Sequence, residues 1–153
     1  MGLFLYLFLG GEDLLEINKS FEVNIAKVDK ENKIVEGVVY RPSKEFDKKG
    51  EPTDYKDSHG DWMTEEDVKK VCHNFSKKLA ITKGAVIDKQ HNEKAGYGHV
   101  VENYIAKVDI PDIGAKKGDW CAAIEVLDEN TWEQITKGEI TGFSIGGKAV
   151  YVE

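Results

Sequence analysis

A period-two alternation of apolar and polar residues recurs along the sequence and restricts the chain to folds built mostly of strands. Residues 21–28 alternate in this way, residues 29–32 have the composition of a turn, and residues 33–40 alternate again. Two alternating runs joined by a short turn predict a β-hairpin. Further strands are predicted at residues 85–91, 100–108, 120–127 and 142–152, the last of which is rich in glycine.

Two helices are predicted beside these strands. Thr64 is followed by three acidic residues, a pattern typical of a helix N-terminus, where carboxylates meet the positive end of the helix dipole. The apolar residues that follow share one helical face: Val68, Val71, Cys72, Phe75 and Leu79. A shorter helix is predicted at residues 130–137 and ends at Gly138. About seven strands with two helices predict a β-dominated α+β fold with a closed or nearly closed sheet.

Two segments lack this periodicity. Residues 41–63 are rich in Pro, Asp, Lys and Gly, and an irregular segment of this length is usually functional or mobile. Residues 3–9 are all apolar, but they are too few to cross a bilayer and follow no Lys or Arg, as a secretory signal would. We expect a buried strand or a partner-facing patch there, and no membrane association. Residues 1–20 are interpreted as an N-terminal apolar segment or an added extension, and residues 21–153 as one domain.

The charge and the cysteine content exclude several classes of function. The sequence has 21 Lys and Arg against 28 Asp and Glu, which gives a net charge of −7, and it has no basic block. Nucleic-acid-binding domains carry a basic face, so we expect no nucleic-acid partner. Cys72 and Cys121 match no metal-binding spacing and are too few for a disulfide scaffold. We therefore expect that the protein binds no metal ion and no cofactor, and that it resides in a reducing cytosol.

Ser144 and His91 are the residues most suited to carry chemistry. Ser144 lies in Gly-Phe-Ser-Ile-Gly, which matches the G-x-S-x-G pattern of α/β-hydrolases. That pattern needs a strand, a sharp turn and a helix, whereas the residues after Ser144 predict a strand, so the α/β-hydrolase fold is excluded. His91 ends a predicted strand and enters a polar turn, where an imidazole can act as a base. From the residues alone, a Ser/His hydrolase and a structural role for both residues remain open.

Two other candidates are weaker. Cys72 and His73 are neighbours on the predicted helix and therefore point about 100° apart, and Cys72 belongs to the apolar face. We interpret Cys72 as a core residue. His59 lies in a polar segment with no recognised metal-ligand spacing, so we interpret it as a solvated loop residue.

From about residue 21 to residue 152, the sequence resembles the XkdF-like family of phage serine proteases. That family is related to the phage prohead (capsid maturation) proteases and, more distantly, to the herpesvirus assemblins. The resemblance is carried by residues 34–42, by the loop-to-helix segment between Asp54 and Glu66, and by a histidine motif at residues 86–92. It continues with a strand at residues 101–105 and a serine motif at residues 138–147.

The resemblance implies that Ser144 is the nucleophile and His91 the general base of a serine endopeptidase. It implies an assemblin-type β-barrel with flanking helices, and prohead maturation as the activity. The substrates and partners implied are phage scaffold and major capsid proteins, and the place is the assembling prohead in the bacterial host cytoplasm. A homo-oligomer is compatible with this function. The alternative is a non-catalytic capsid-assembly module of the same fold that binds scaffold or portal proteins.

Serine proteases of this kind use a catalytic triad, in which a third residue accompanies the serine and the histidine. This sequence does not supply that third residue. In the relatives it lies downstream of the serine, and this sequence ends at Glu153. We therefore expect residues 21–153 to form a prohead-protease-like domain without its C-terminal part, and to be weakly active or inactive. Glu102 and His99, on the strand predicted next to that of His91, are weak candidates for the missing residue.

Overall fold

Strands make up most of the regular structure, as the sequence predicts. The computed structural model describes residues 2–6, 16–81, 87–89 and 98–152, with side-chain surroundings for residues 21–80 and 98–145. Within these residues the strands are β1 (Gly2–Tyr6), β2 (Glu16–Asn24), β3 (Lys27–Asp29), β4 (Ile34–Tyr40), β5 (Ile87–Lys89), β6 (Gly98–Ile105), β7 (Trp120–Val126) and β8 (Gly142–Val152). The α-helices are α1 (Glu65–Ile81) and α2 (Glu129–Thr136), and a short 3₁₀ helix spans Pro111–Ile113. The β-dominated α+β fold class is confirmed.

The strands form two antiparallel sheets of four strands each. In the first, β8 pairs with β1, β2 and β5. In the second, the order is β3-β4-β7-β6. Over the described ranges these ladders remain two separate sheets and do not close into one barrel. The closed barrel therefore stays a prediction.

The predicted hairpin is present, but its first strand is divided between the two sheets. Lys27–Asp29 pairs with the start of β4, whereas β2 pairs with β8. At the junction, the Ile25 backbone N–H donates to the Thr141 carbonyl at 3.0 Å, and the Ala26 N–H donates to the Glu36 carbonyl at 2.9 Å. Gly37 of β4 permits this crossing, because a Cβ there would overlap the carbonyl oxygen of Asn24. A continuous strand over residues 21–28 was therefore a wrong prediction.

The main core lies between the two sheets and α1. Phe21 lies at the centre of this core. The centroid of its ring is 5.5 Å from that of Tyr40 and 5.4 Å from that of Trp120, and both pairs pack edge-on. Phe75 of α1 also packs against Trp120, with ring centroids 5.8 Å apart. A second, smaller cluster covers the opposite face of the β4-β7-β6 sheet and contains Ala106, Ile113, Ala115 and Cys121.

Helix α1 begins and packs as the sequence predicts. The Thr64 hydroxyl accepts a hydrogen bond from the Asp67 backbone N–H at 3.2 Å, which satisfies one free donor of the first turn. The predicted apolar face is buried at Val68, Val71, Cys72 and Phe75. No helix in the described part of the chain is both long and apolar enough to span a membrane.

One asparagine ties this helix to the sheet beneath it. Asn103 of β6 donates from Nδ2 to the Cys72 carbonyl at 2.9 Å and to Ser76 Oγ at 2.7 Å. Its Oδ1 accepts from Trp120 Nε1 at 2.6 Å. The buried indole N–H of the core is thereby satisfied by the same side chain that contacts the helix.

The segment between β4 and α1 is irregular, as predicted, and its two ends are buried. Ser43 and Met63 are almost fully enclosed, and the Ser43 N–H donates to the Met63 carbonyl at 2.8 Å. Further along, the Asp47 N–H donates to the Glu51 carbonyl at 2.8 Å. The segment is therefore a loop closed on itself by backbone hydrogen bonds, with its base fixed in the fold.

A buried ion pair fastens the start of this loop. Asp119 has 0% of its surface exposed and accepts from Arg41 through Nε at 3.2 Å and Nη2 at 2.9 Å. Arg41 Nη2 also donates to the Gly114 carbonyl at 3.0 Å, and the Lys116 N–H donates to Asp119 at 2.9 Å. The hydrogen bond to Asp119 is the largest cause that raises the pKa of Arg41, so the guanidinium stays charged.

The apolar N-terminal run takes part in the first sheet. Gly2–Tyr6 pairs with the far end of β8, from Val152 to Lys148. A strand is therefore confirmed for the first part of this run, and residues 7–9 lie outside the described residues.

Replacing Phe75 with alanine tests the helix packing. Phe75 is 3% exposed and contacts Trp120, so Phe75→Ala is expected to lower the free energy of unfolding by about 3–5 kcal/mol through lost burial and a residual cavity. Urea titration measures the change, with Lys77→Ala on the exposed face of the same helix as the control. A loss below about 1 kcal/mol would mean that this face is not packed as described.

The Arg41–Asp119 pair gives a second stability prediction. Arg41→Ala leaves a buried carboxylate without its partner and is expected to cost about 3 kcal/mol, at the lower end for a broken buried pair because Arg41 itself is 35% exposed. Thermal or urea unfolding provides the measurement. The control is Lys70→Ala, which removes an exposed pair with Glu66 and should change stability little. Equal effects from the two variants would contradict a structural role for the buried pair.

Candidate functional site

Ser144 lies near the start of the strand that joins the first sheet together. In β8 it follows Phe143 and precedes Ile145, both of which are buried in the main core opposite Val23 and Phe21 of β2. Since successive side chains of a strand point to opposite faces, Ser144 faces away from this core. It is nevertheless 1% exposed. Ser144 is therefore an enclosed polar residue on the outer face of the sheet.

Strands flank Ser144 on both sides. The register places Glu22 of β2 directly opposite Ser144 on one side and Asp88 of β5 directly opposite it on the other. A residue paired in this way sits within a regular ladder and not at a sharp strand-to-helix turn. The exclusion of an α/β-hydrolase elbow is confirmed.

Glu22 also contacts the glycine two residues before the serine. A Cβ built at Gly142 would lie 2.6 Å from Glu22 Oε1 and 3.1 Å from Glu22 Cγ. Because Gly142 has no side chain, the Glu22 carboxylate can occupy this space. Gly142 and Ser144 share one face of β8, so this carboxylate lies beside the serine on the same surface.

His91 lies outside the described residues, so its pairing with Ser144 stays a prediction. The nearest described strand is β5, whose last residue, Lys89, pairs with Phe143 next to the serine.

The two candidates for a third member lie in the other sheet. His99 and Glu102 are both on β6, opposite Glu125 and Ala123 of β7, and both are exposed. Ser144 is on β8 of the first sheet, where its ladder partners come from β2 and β5. The structure does not place His99 or Glu102 on a strand paired with that of the serine.

The remaining candidates are structural or solvent-exposed. Cys72 is confirmed as a core residue, and burial raises its pKa to about 11. Burial likewise raises the pKa of Cys121 to about 12, so neither thiol is a thiolate at neutral pH. His59 is exposed in its loop, as predicted. In the part of the chain that the structure describes, no group of three or more His, Cys, Asp or Glu side chains is arranged to hold a metal.

Sequence reasoning missed Glu22 as a neighbour of the serine. Its position in an alternating strand is typical of an ordinary solvent-facing residue. Only the pairing of β2 with β8, across more than 100 residues of chain, brings it opposite Ser144. The one local signal is Gly142, because a glycine inside a strand often marks a close approach by another group.

Comparison with known proteins gives a family for this arrangement. The family model described as "Putative phage serine protease XkdF" matches residues 22–153. Among curated proteins of Bacillus subtilis (strain 168), the chain is 40% identical over 131 residues to the uncharacterized protein YqbD, covering 84% of this chain and 35% of that protein. It is 40% identical over 127 residues to the phage-like element PBSX protein XkdF, covering 80% of this chain and 40% of that protein.

The chain thus spans well under half the length of these two relatives. No solved structure matches it. The family model covers most of the sequence, and the matched range includes both Ser144 and His91. The chain belongs to the XkdF-like family.

Proposed function

We propose that this protein is a phage serine endopeptidase of the prohead maturation type, with Ser144 as nucleophile and His91 as general base. Its substrates are scaffold and major capsid proteins, cleaved in the assembling prohead within the host cytoplasm. The observation that carries the proposal is the position of Ser144 in β8, next to β5, the strand that leads within two residues to His91. Membership of the XkdF-like family supports the same activity.

The chemistry is acyl transfer. His91 accepts the Ser144 hydroxyl proton as Oγ attacks the carbonyl carbon of the scissile peptide bond. The tetrahedral intermediate collapses as the C–N bond breaks, and His91 gives the proton to the leaving amine. Water then attacks the acyl-enzyme with His91 again as base, which releases the carboxylate product and restores Ser144.

The enclosure of Ser144 sets a condition on this mechanism. With 1% of its surface exposed, the serine is reached by a peptide carbonyl only after a neighbouring group moves aside. The conformation described is therefore a closed one under this proposal, and substrate binding must open it.

The same enclosure favours a second candidate function, a non-catalytic capsid-assembly module that binds scaffold or portal proteins. In that case Ser144 is a small residue that allows β2, β8 and β5 to pack closely. The two functions differ in whether Ser144 reacts with an electrophile designed for serine hydrolases.

Covalent labelling with a fluorophosphonate probe distinguishes them. We expect the probe to attach to Ser144, as located by peptide mass spectrometry, and Ser144→Ala to abolish labelling. His91→Ala is expected to slow labelling by about 10²–10⁴-fold, the usual contribution of a general base. The rate of hydrolysis of a fluorogenic peptide mixture should decrease in the same order, from the unmodified chain to His91→Ala and then to Ser144→Ala.

Ser58→Ala is the matched control, since Ser58 is an exposed loop serine that no part of the mechanism uses. Circular dichroism checks that each variant is folded. Absence of labelling at Ser144 in the unmodified chain, or labelling that survives Ser144→Ala, would overturn the protease proposal. The first of these results would leave the assembly-module function as the better account.

A further inference from the structure

We propose that the exposed side of helix α1 is a docking surface for a short acidic segment of a partner polypeptide. The basic face of α1 consists of Lys69, Lys70, His73 and Lys77 on the helix, with Lys107 beside them. This surface does not include Ser144, so the proposal goes beyond the function proposed above and applies to a protease and to an assembly module alike.

The sequence separates the charges along this helix. The first turn of α1 contains three acidic residues, and after Asp67 the next acidic residue is Asp88. Residues 68–87 contain lysine but no Asp or Glu, although acidic residues outnumber basic ones by 28 to 21 in the whole sequence. The lysines are dispersed and form no continuous basic block. Only the helix brings them together on one face.

Helical spacing arranges these side chains in a row. Lys69, His73 and Lys77 follow one another at intervals of four residues, so they are neighbours along one line of the helix surface. Lys70 lies next to this line, three residues before His73. All four residues are exposed, on the side of α1 opposite its buried apolar face. At 1.5 Å per residue, the row spans about 12 Å.

The row carries charge that the fold itself does not use. Lys70 pairs with Glu66 at 3.6 Å, whereas Lys69 and Lys77 are in no ion pair with the residues that the structure describes. The helix dipole favours a cation in the last turn, but Lys69 lies near the acidic first turn, where the dipole does not stabilise a positive charge. The charge of Lys69 is therefore available to a partner and is not explained by the stability of the helix.

The basic face continues onto the chain that follows β6. Burial raises the pKa of the Cys72 thiol to about 11, and the nearby positive charge of Lys107 opposes part of that rise. Lys107 therefore lies close to α1, and it is exposed. Because the Asn103 side chain fixes α1 against β6, the row on the helix and Lys107 belong to one surface.

Charge complementarity identifies the occupant. The protein as a whole has a net charge of −7, so its field attracts an anionic group to this face and repels it elsewhere. In an extended segment, alternate side chains are about 7 Å apart, so two or three alternate carboxylates match the length of the row. A longer polyanion, such as a nucleic acid, extends past the row onto the acidic first turn of α1, which repels it.

Fluorescence anisotropy with two labelled acidic peptides tests the docking surface in the whole 153-residue chain. In one peptide glutamate alternates with serine, and in the other glutamates lie four residues apart in an alanine-rich helix. We expect the unmodified chain to bind at least one of them. Binding should weaken about tenfold or more when the ionic strength rises from about 0.05 M to about 0.5 M, because salt screens exposed charges.

Variants of the row locate the binding. Lys69→Gln/Lys77→Gln removes two charges and is expected to weaken binding about tenfold. The matched control is Lys48→Gln/Lys49→Gln, which changes the net charge equally at two exposed loop lysines and should leave binding unchanged. Charge reversal by Lys69→Glu/Lys77→Glu should increase the affinity for a peptide with lysine in place of each glutamate, compared with the unmodified chain. Thermal unfolding confirms that each variant retains its fold.

Several results would overturn the proposal. Failure of both acidic peptides to bind the unmodified chain, or equal losses of binding in the row variant and in its control, would show that the basic face is not a docking surface. Tighter binding of a single-stranded DNA of similar length that depends on Lys69 and Lys77 would assign the face to nucleic acid instead. A salt-sensitive dimer, detected by light scattering and lost in Lys69→Gln/Lys77→Gln, would assign it to a second copy of the chain.

Discussion

The crossing of β2 into β3 above Gly37 is the constraint on which the arrangement of the two sheets depends. At Ile25 and Ala26 the backbone leaves a ladder with β8 and enters one with β4: Ile25 donates to the Thr141 carbonyl, just before β8, and Ala26 donates to the Glu36 carbonyl of β4. This crossing brings the Asn24 carbonyl so close to position 37 that only glycine fits there. One continuous piece of chain therefore joins the two sheets.

The aromatic core follows from this crossing. Phe21 lies four residues before the junction, so its ring is delivered between the sheets, where Tyr40 and Trp120 of the second sheet meet it edge-on. The same alternation that buries Phe21 and Val23 places Glu22 on the outer face, opposite Ser144. The chemistry proposed for the outer face thus depends on packing at the inner face.

Local patterns in the sequence were sufficient for most individual elements. The start of α1 at Thr64, its buried face and the whole of β8 were predicted, because capping, helical periodicity and strand alternation are short-range signals. The division of residues 21–28 between two sheets could not be predicted. Its cause, the approach of Asn24 to Gly37, joins residues from different ladders, and the sequence marks the junction only by a change in the phase of the alternation, because Ala26 follows Ile25.

For the site, the sequence indicated Ser144 and His91 through motif and resemblance, and only Ser144 lies within the described residues. Its ladder partners were not predictable, because pairing between β2, β8 and β5 is a property of the tertiary fold. Expecting a third residue on the strand after His91 assumed that strands adjacent in sequence are adjacent in space. Here β6 pairs with β7, and the neighbours of β8 come from distant parts of the chain.

Asn103 bears on how unique the position of helix α1 is. An apolar helical face can slide along a sheet by one turn, about 5.4 Å, and still bury a similar area, so hydrophobic packing alone leaves the docking position degenerate. A single amide that joins the Cys72 carbonyl, Ser76 and the Trp120 indole is satisfied at one position only. The hydrogen bonds of Asn103 therefore select one of several docking positions of helix α1 that have similar hydrophobic energy.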